Sequence, residues 1–246
     1  MAQKSKIEWT ESTWNPITGC DKVSAGCENC YAFRLAQRLQ KMGNAKYAKG
    51  FELVLHENCL DDPYSWKKPM HIFVSSMSDL FHKDVPLSYI QRVFNVMNNN
   101  PRHIFQVLTK RAERMAKTAN EVNWSENIWI GVTVENDICK GRIKHLQKMP
   151  AKVKFVSFEP LLNDVGVLDL SNIDWAIVGG ESGWKARSMQ SEWVINIKEQ
   201  CEQQKILFYF KQWGGTNKKK TGRTLLNRTW DDMPVVKAAS EQSHFR

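Results

Sequence analysis

Short apolar runs rich in β-branched and aromatic residues recur along the chain, each followed by a stretch with helical spacing. The runs at 71–74, 103–108, 128–134, 153–158, 175–178 and 206–210 are mostly unbroken by polar residues, as in strands covered on both faces. Their starts lie 32, 25, 25, 22 and 31 residues apart, room for a strand, a helix and two short loops. Between them, 87–98 places Ile90, Val93, Phe94 and Met97 on one helical face. The stretch 137–148 does the same with Ile138, Ile143 and Leu146, and 191–203 with Val194, Ile197 and Cys201. Ser88 and Ser191 stand near helix starts, and Pro150 lies just past a helix end. An early helix is expected over 31–42, and a first strand near 14–18 brings the count to about seven.

Repeating strand–helix units imply a parallel sheet with right-handed crossovers. The periodicity fits an open doubly wound sheet or a barrel; in both, ligands bind at the carboxyl ends of the strands. The expectation is an α/β chain forming a full or partial (β/α) TIM-like barrel with about six to seven parallel strands. The barrel unit is expected over 1–215, with a basic C-terminal extension over 216–246.

The length of 246 residues suits one large α/β domain. With 42% hydrophobic and 25% charged residues, the chain reads as an ordinary globular protein. No apolar run is long enough to span a bilayer, and MAQKSKIEWTES at the start lacks the apolar core of a secretion signal. A cytoplasmic location without membrane contact is the expectation. The net charge of +9 favours a polyanionic partner such as nucleic acid. Lys218, Lys219, Lys220, Arg223 and Arg228 form an acid-free basic stretch, with Trp230 just beyond. It reads either as a phosphate-contacting patch or as a solvated tail.

The text just past each expected strand is polar or glycine-rich. It reads Ser75-Ser76-Met77-Ser78-Asp79, Thr109-Lys110-Arg111, Glu135-Asn136, Glu159-Pro160, Gly179-Gly180-Glu181-Ser182-Gly183 and Lys211-Gln212-Trp213. A charge abutting a buried strand is costly to desolvate, so a polar pocket is expected at this end. Six cysteines in such a chain do not read as a disulfide framework. Cys59, Cys139 and Cys201 are scattered singly, as core thiols are. Cys20, Cys27 and Cys30 lie within eleven residues just after the first strand, spaced C-x6-C-x2-C. Thiolates suit zinc or iron–sulfur centres. Structural zinc sites close with four ligands, and no fourth Cys or His stands nearby in sequence. Three thiolates leave one metal position open, where a cofactor can coordinate in a 4Fe-4S cluster.

The text GCENCYA resembles the cysteine loop of the radical S-adenosylmethionine superfamily, whose usual first spacing is three where this chain has six. QVLTKR at 106–111 and GVTVEN at 131–136, with Arg142 beyond, resemble strand ends of its spore-photoproduct-lyase-like branch. The combination WNPITGC, SSMSDLF, LTKR, FEPLL, GGESG and FKQWGG is similar to the phage Gp37/Gp68 family, a domain of unknown function, over roughly 7–234.

The resemblance implies that Cys20, Cys27 and Cys30 hold a 4Fe-4S cluster whose open iron takes S-adenosylmethionine. Reductive cleavage then gives a 5′-deoxyadenosyl radical that abstracts hydrogen from a substrate. It further implies cofactor contacts from Ser76, Ser78, Asp79, Lys110, Thr133 and Glu135, with Glu159, Glu181 and Lys211 toward the substrate. An electron donor such as flavodoxin or ferredoxin is implied as a partner. Trp129 and Trp175 fall in expected strands and read as core, whereas Trp14, Trp184, Trp213 and Trp230 stand in loop-like text where stacking on bases is available. A nucleic acid or nucleotide substrate, in repair or modification, is the preferred expectation. The alternatives are a non-redox, zinc-binding nucleic-acid-binding protein, or a catalytically silent phage or defence module that binds a partner.

Overall fold

The computed structural model describes residues 3–5 and 7–235, leaving out the side chains of Gln3, Lys4, Lys218 and Lys219. All six apolar runs form strands. In chain order the elements are β1 (Gln3–Lys4), β2 (Ser12–Trp14), β3 (Ile17–Thr18), α1 (Tyr31–Lys41), β4 (Val54–Leu55), β5 (His71–Val74), α2 (Leu87–Asn98) and β6 (Ile104–Thr109). They continue with α3 (Ala112–Thr118), β7 (Ile128–Thr133), α4 (Gly141–Leu146), β8 (Val153–Phe158), β9 (Trp175–Gly179), α5 (Ser191–Gln203), β10 (Leu207–Gln212) and a last turn, α6 (Lys218–Thr221). The main sheet runs β1-β2-β5-β6-β7-β8-β9-β10. Its seven strands from β2 to β10 are parallel and curl into a half-barrel. β1 caps the β2 edge antiparallel.

The two-residue period of the strands divides their side chains between two cores. Ile72, Val74, Phe105, Val107, Ile130, Val132, Val156 and Phe158 face the helices together with Val93 and Phe94 of α2. The alternate positions, Phe73, Trp129, Phe155, Trp175, Ile177 and Tyr209, fill the concave side with Trp9. Trp9 meets Phe73 at 4.9 Å and Trp129 meets Trp175 edge-on at 6.1 Å, tilted geometries that aromatic quadrupoles favour. A Cβ on Gly131 would lie 2.5 Å from the Phe155 ring, so a glycine leaves room for that ring. The half-barrel therefore has a packed aromatic floor.

Two details differ from the pattern-based expectation. The first strand breaks in two: Ser12–Trp14 joins the main sheet, while Ile17–Thr18 pairs antiparallel with β4. Pro16 stands between them and has no N–H for a ladder; its carbonyl accepts from His56 and from the Tyr89 hydroxyl. The 137–148 helix splits into a 3₁₀ turn, Asp137–Lys140, and α4. The Asn136 side chain caps that turn at the Cys139 amide, and the tighter winding leaves Ile138 86% exposed rather than on the buried face. Ser88 and Ser191 do stand in the first turns of α2 and α5, with Pro86 and Gln190 at the N-cap positions.

Beyond β10 the chain returns along the free sheet edge. Asp231 bridges to Tyr209, the Phe210 amide donates to the Trp230 carbonyl, and Trp175 Nε1 donates to the Asp232 carbonyl. This covers an edge that would otherwise present unpaired groups. Two cations of the basic stretch are engaged in that packing: Arg223 pairs with Asp231, and Arg228 lies over the Trp230 ring at 3.6 Å. Residues 236–246, the remainder of the expected extension, lie outside the described residues. Among the described residues no helix is long and apolar enough to cross a membrane.

Candidate functional site

Along the inward rows the residues change from aromatic to polar toward the strand ends. Trp129 and Gly131 lead to Thr133 on β7, and Phe155 leads to Ser157 on β8. A cavity of about 460 Å³ opens above the aromatic floor, and Cys20, Cys27 and Cys30 line it together with Ser75, Thr133 and Ser157.

The cysteine loop enters through Gly19, whose φ is +83°. A Cβ there would sit 1.9 Å from the Glu52 carbonyl oxygen, so the position requires glycine. The Gly19 amide donates to the Met77 carbonyl at 3.0 Å, and the Ser78 hydroxyl donates back to the Gly19 carbonyl. The loop then meets charged residues from three strand ends. Arg111 donates to Cys20 Sγ at 3.4 Å and to the Asp21 carbonyl at 3.3 Å. Glu135 accepts from the Ser24 hydroxyl, and a Cβ on Gly26 would lie 2.5 Å from its Cγ. Arg187 donates to the Ala25 carbonyl at 2.9 Å and pairs with Glu28, while Glu181 accepts from Asn29 at 2.8 Å. The long first spacing thus carries Ser24 and Gly26, the two positions seated on Glu135. Cys30 then occupies the N-cap position of α1.

All three thiols are free and half-buried. Burial, opposed by the Arg111 guanidinium, pushes the Cys20 thiol up to about 11, so metal binding there would release a proton. The three Sγ atoms do not all fall within 4.8 Å of one another. Ligands on one tetrahedral zinc at about 2.3 Å would stand roughly 3.8 Å apart. A cubane takes each thiolate on a different iron, so three thiols match its donor set and leave the fourth iron open.

Five of the six expected cofactor contacts line the cavity, namely Ser76, Ser78, Asp79, Lys110 and Thr133. Their bonding differs. Asp79 is buried and accepts from the Thr109 hydroxyl, the Phe81 and Lys110 amides and Arg111 Nη1. Its carboxylate fastens β5 to β6. The Ser76 hydroxyl donates to Asn15 Oδ1 at 3.1 Å. Glu135, the sixth, is wholly buried behind the cysteine loop. Burial alone would raise its carboxyl, but Lys110, Arg142 and Ser24 outweigh that and hold it below the usual range. Arg142 donates to it at 2.6 Å, and Lys110 Nζ stands 3.8 Å away. Glu181 is held down in the same way, burial being outweighed by Arg187 and Asn29.

Lys110 and the Thr133 side chain remain directed at the cavity, and the structure adds others. Ser75 is buried with φ +60° and its hydroxyl has no hydrogen-bond partner. Counting two residues on from Phe73 would have found it, as counting two from Phe155 finds Ser157. Lys211 pairs with Glu159 at 2.6 Å, and Glu8 lies 3.9 Å from its Nζ; Lys211 and Glu159 line the cavity as expected. Arg187 sits in an irregular loop whose sequence gives no sign of its role. Of the four tryptophans expected in loops, Trp14 is buried in β2, donating from Nε1 to the Cys59 carbonyl. Trp213 and Trp230 pack against the core, and Trp184 is exposed.

A family model described as "Protein of unknown function (DUF5131)" matches residues 4–234; that description does not carry the phage name suggested by the motifs. No curated protein matches the chain. Among solved structures it is similar to spore photoproduct lyase complexed with dinucleoside spore photoproduct, at 11% identity and a TM-score of 0.48. It is likewise similar to a mutant of that lyase with bound AdoMet and dinucleoside spore photoproduct, at 10% identity and a TM-score of 0.47. Each likeness covers 81% of this chain, which spans 63% of the length of the matched chain.

Proposed function

The chain belongs to the DUF5131 family, and we propose that it is a cytoplasmic radical S-adenosylmethionine enzyme acting on a nucleic acid or nucleotide, in repair or modification. One observation carries this reading: three half-buried thiols line a single strand-end cavity together with polar residues from several strand ends.

Cys20, Cys27 and Cys30 would hold three irons of a 4Fe-4S cluster, leaving the fourth for S-adenosylmethionine. When bound, the pair supplies one-electron cleavage of the sulfonium to a 5′-deoxyadenosyl radical, with the electron coming from a donor such as flavodoxin or ferredoxin. The chain itself supplies placement and electrostatics. Arg111, Glu135 and Arg187 fix the cysteine loop at its start, middle and end. Lys110 offers an ammonium group at the cavity wall that would meet a carboxylate. Ser75, Thr133 and Ser157 present hydroxyls for a ligand's polar edge, and the Glu159–Lys211 pair offers an acceptor beside a donor. The aromatic floor closes the cavity from below and keeps water out of the base of the site.

The test is a pair of variants under anaerobic reconstitution. Cys30→Ala is expected to lose the iron–sulfur absorption and cofactor cleavage together. Cys59→Ala should keep both, since that thiol sits 3.3 Å from Lys46 Nζ, away from the cavity. Retention of the chromophore in Cys30→Ala would overturn the ligand set.

A further inference from the structure

Tryptophan is the side chain with most to gain from burial, and nine of this chain's ten are buried or half-buried. Trp184, in the loop after β9, is 67% exposed. Its backbone is firmly held. Gly183 has φ +107° and a Cβ there would come 3.1 Å from Arg34 Nη1. Asn29 donates to the Lys185 carbonyl at 3.2 Å, and Arg34 donates to Asn29 Oδ1 at 3.0 Å. Arg187 ties the far side of the loop to Glu181 and the Ala25 carbonyl. An indole kept in water by an anchored loop is a built platform. Lys185 Nζ lies 4.5 Å from its ring centre.

The same contacts join this platform to α1. Tyr31 lines the cavity mouth, and Arg34, Arg38 and Lys41 follow it at steps of three, four and three residues. Such spacing puts all four on one helical stripe, about 15 Å long at 1.5 Å per residue. The segment 31–41 has no acidic residue. Nearby, Glu181 and Glu28 share the guanidinium of Arg187, which offsets part of their charge and leaves the cations of the stripe and Lys185 in excess.

We propose that Trp184, Lys185 and the Arg34–Arg38–Lys41 stripe form the landing surface for a single-stranded nucleic acid, whose phosphates follow α1 while an unstacked base rests on Trp184 beside the cavity. Cations alone would suit any polyanion; an exposed indole among them suits bases, because every base offers a face to stack. A paired strand could not offer that face without unstacking. This assignment takes its place in catalysis from the function proposed above, but binding itself needs neither cluster nor cofactor.

The experiment is fluorescence anisotropy of a labelled oligothymidylate of about 12 nucleotides with the full chain, over a salt series. Trp184→Ala is expected to weaken binding roughly fivefold to hundredfold with an unchanged salt slope, and Trp184→Phe to retain most of it. Arg38→Ala and Lys185→Ala should each flatten the slope by about 0.7. Lys152→Ala, exposed at the opposite end of the sheet just before β8, should bind as the parent does. Parent-like affinity in both Trp184→Ala and Arg38→Ala would overturn the proposal. So would failure to bind the oligonucleotide by a chain that binds polyglutamate, which would assign the surface to an acidic protein. Oligonucleotide binding by a chain that takes up no iron would leave this surface standing and sink the radical reading. Cofactor cleavage by a chain that binds no oligonucleotide would do the reverse.

Discussion

Glu135 and Lys110 stand just beyond neighbouring strands, carry opposite charges and approach within 3.8 Å. Nevertheless they belong to different regions. Glu135 is fully buried behind the cysteine loop, holding Ser24 and the backbone at Gly26 while Arg142 compensates its charge. Lys110 keeps 20% of its side chain exposed and lines the cavity. The same contrast separates Glu181, tied to Arg187 and Asn29, from the Glu159–Lys211 pair. One set of strand-end charges ties down the wall that carries the thiols; the other set, Lys110 and the Glu159–Lys211 pair, lines the cavity without bonding to the cysteine loop. A charge at a strand end is therefore no guide to its role until its partners are known.

Variants that treat the two regions differently sharpen this division. The largest effect is expected for Glu135→Ala, which leaves half-buried Arg142 without its carboxylate and opens a wholly buried position, and should cost about 2–4 kcal/mol. It should also unseat Ser24 and depress iron uptake, so urea denaturation and iron analysis measured together check both halves. Acidification comes next. Glu135 and Glu181 are both held below the usual carboxyl range, so the folded chain binds these protons less readily than the unfolded chain. Their stabilisation is fully present above the free-carboxyl pKa of about 4.3, and is lost as pH falls through the lower folded values. The melting temperature should therefore drop below that pH, and less steeply in Glu135→Gln relative to its own neutral-pH value.

Lys110→Ala should change stability by no more than about 1 kcal/mol, because Arg142 still pairs Glu135. If Lys110 meets a cofactor carboxylate, binding of S-adenosylmethionine weakens while the iron content stays at the parent level. Equal losses of stability in Lys110→Ala and Glu135→Ala would erase the distinction between wall and cavity. The smallest effect belongs to Arg92→Ala. Its bidentate pair with Glu57 is well formed but exposed, and exposed pairs contribute little. Its melting curve should overlay that of the parent.

Much of the fold was legible in the sequence because buried parallel strands leave continuous apolar text. β5 and β8 coincide with the runs at 71–74 and 153–158, and α2 and α5 with their amphipathic stretches. The failures are local and have causes. Pro16 divides one apolar run between two sheets, and the Asn136 cap winds a helix start too tightly for Ile138 to face inward. At the site, the three cysteines and the polar strand ends stood out in the sequence, and the cysteines share one cavity with most of those strand ends, though not with Glu135. Partner choice was not legible, because it depends on contacts across more than a hundred residues. Ser24 with Glu135, and Ala25 with Arg187, are joined only by the curl of the sheet. Ser75 was legible by position, two residues on from Phe73, but its left-handed backbone and unpartnered hydroxyl were not.

The thiols of Cys20, Cys27 and Cys30 are proposed to serve several metal ions rather than one. Anaerobic reconstitution with iron and sulfide, followed by metal and sulfide analysis per chain, addresses this most directly. About four irons and four sulfides per chain are expected, with reduction in the presence of S-adenosylmethionine releasing 5′-deoxyadenosine. A single zinc per chain, with no iron retained and no cofactor cleaved, would contradict it.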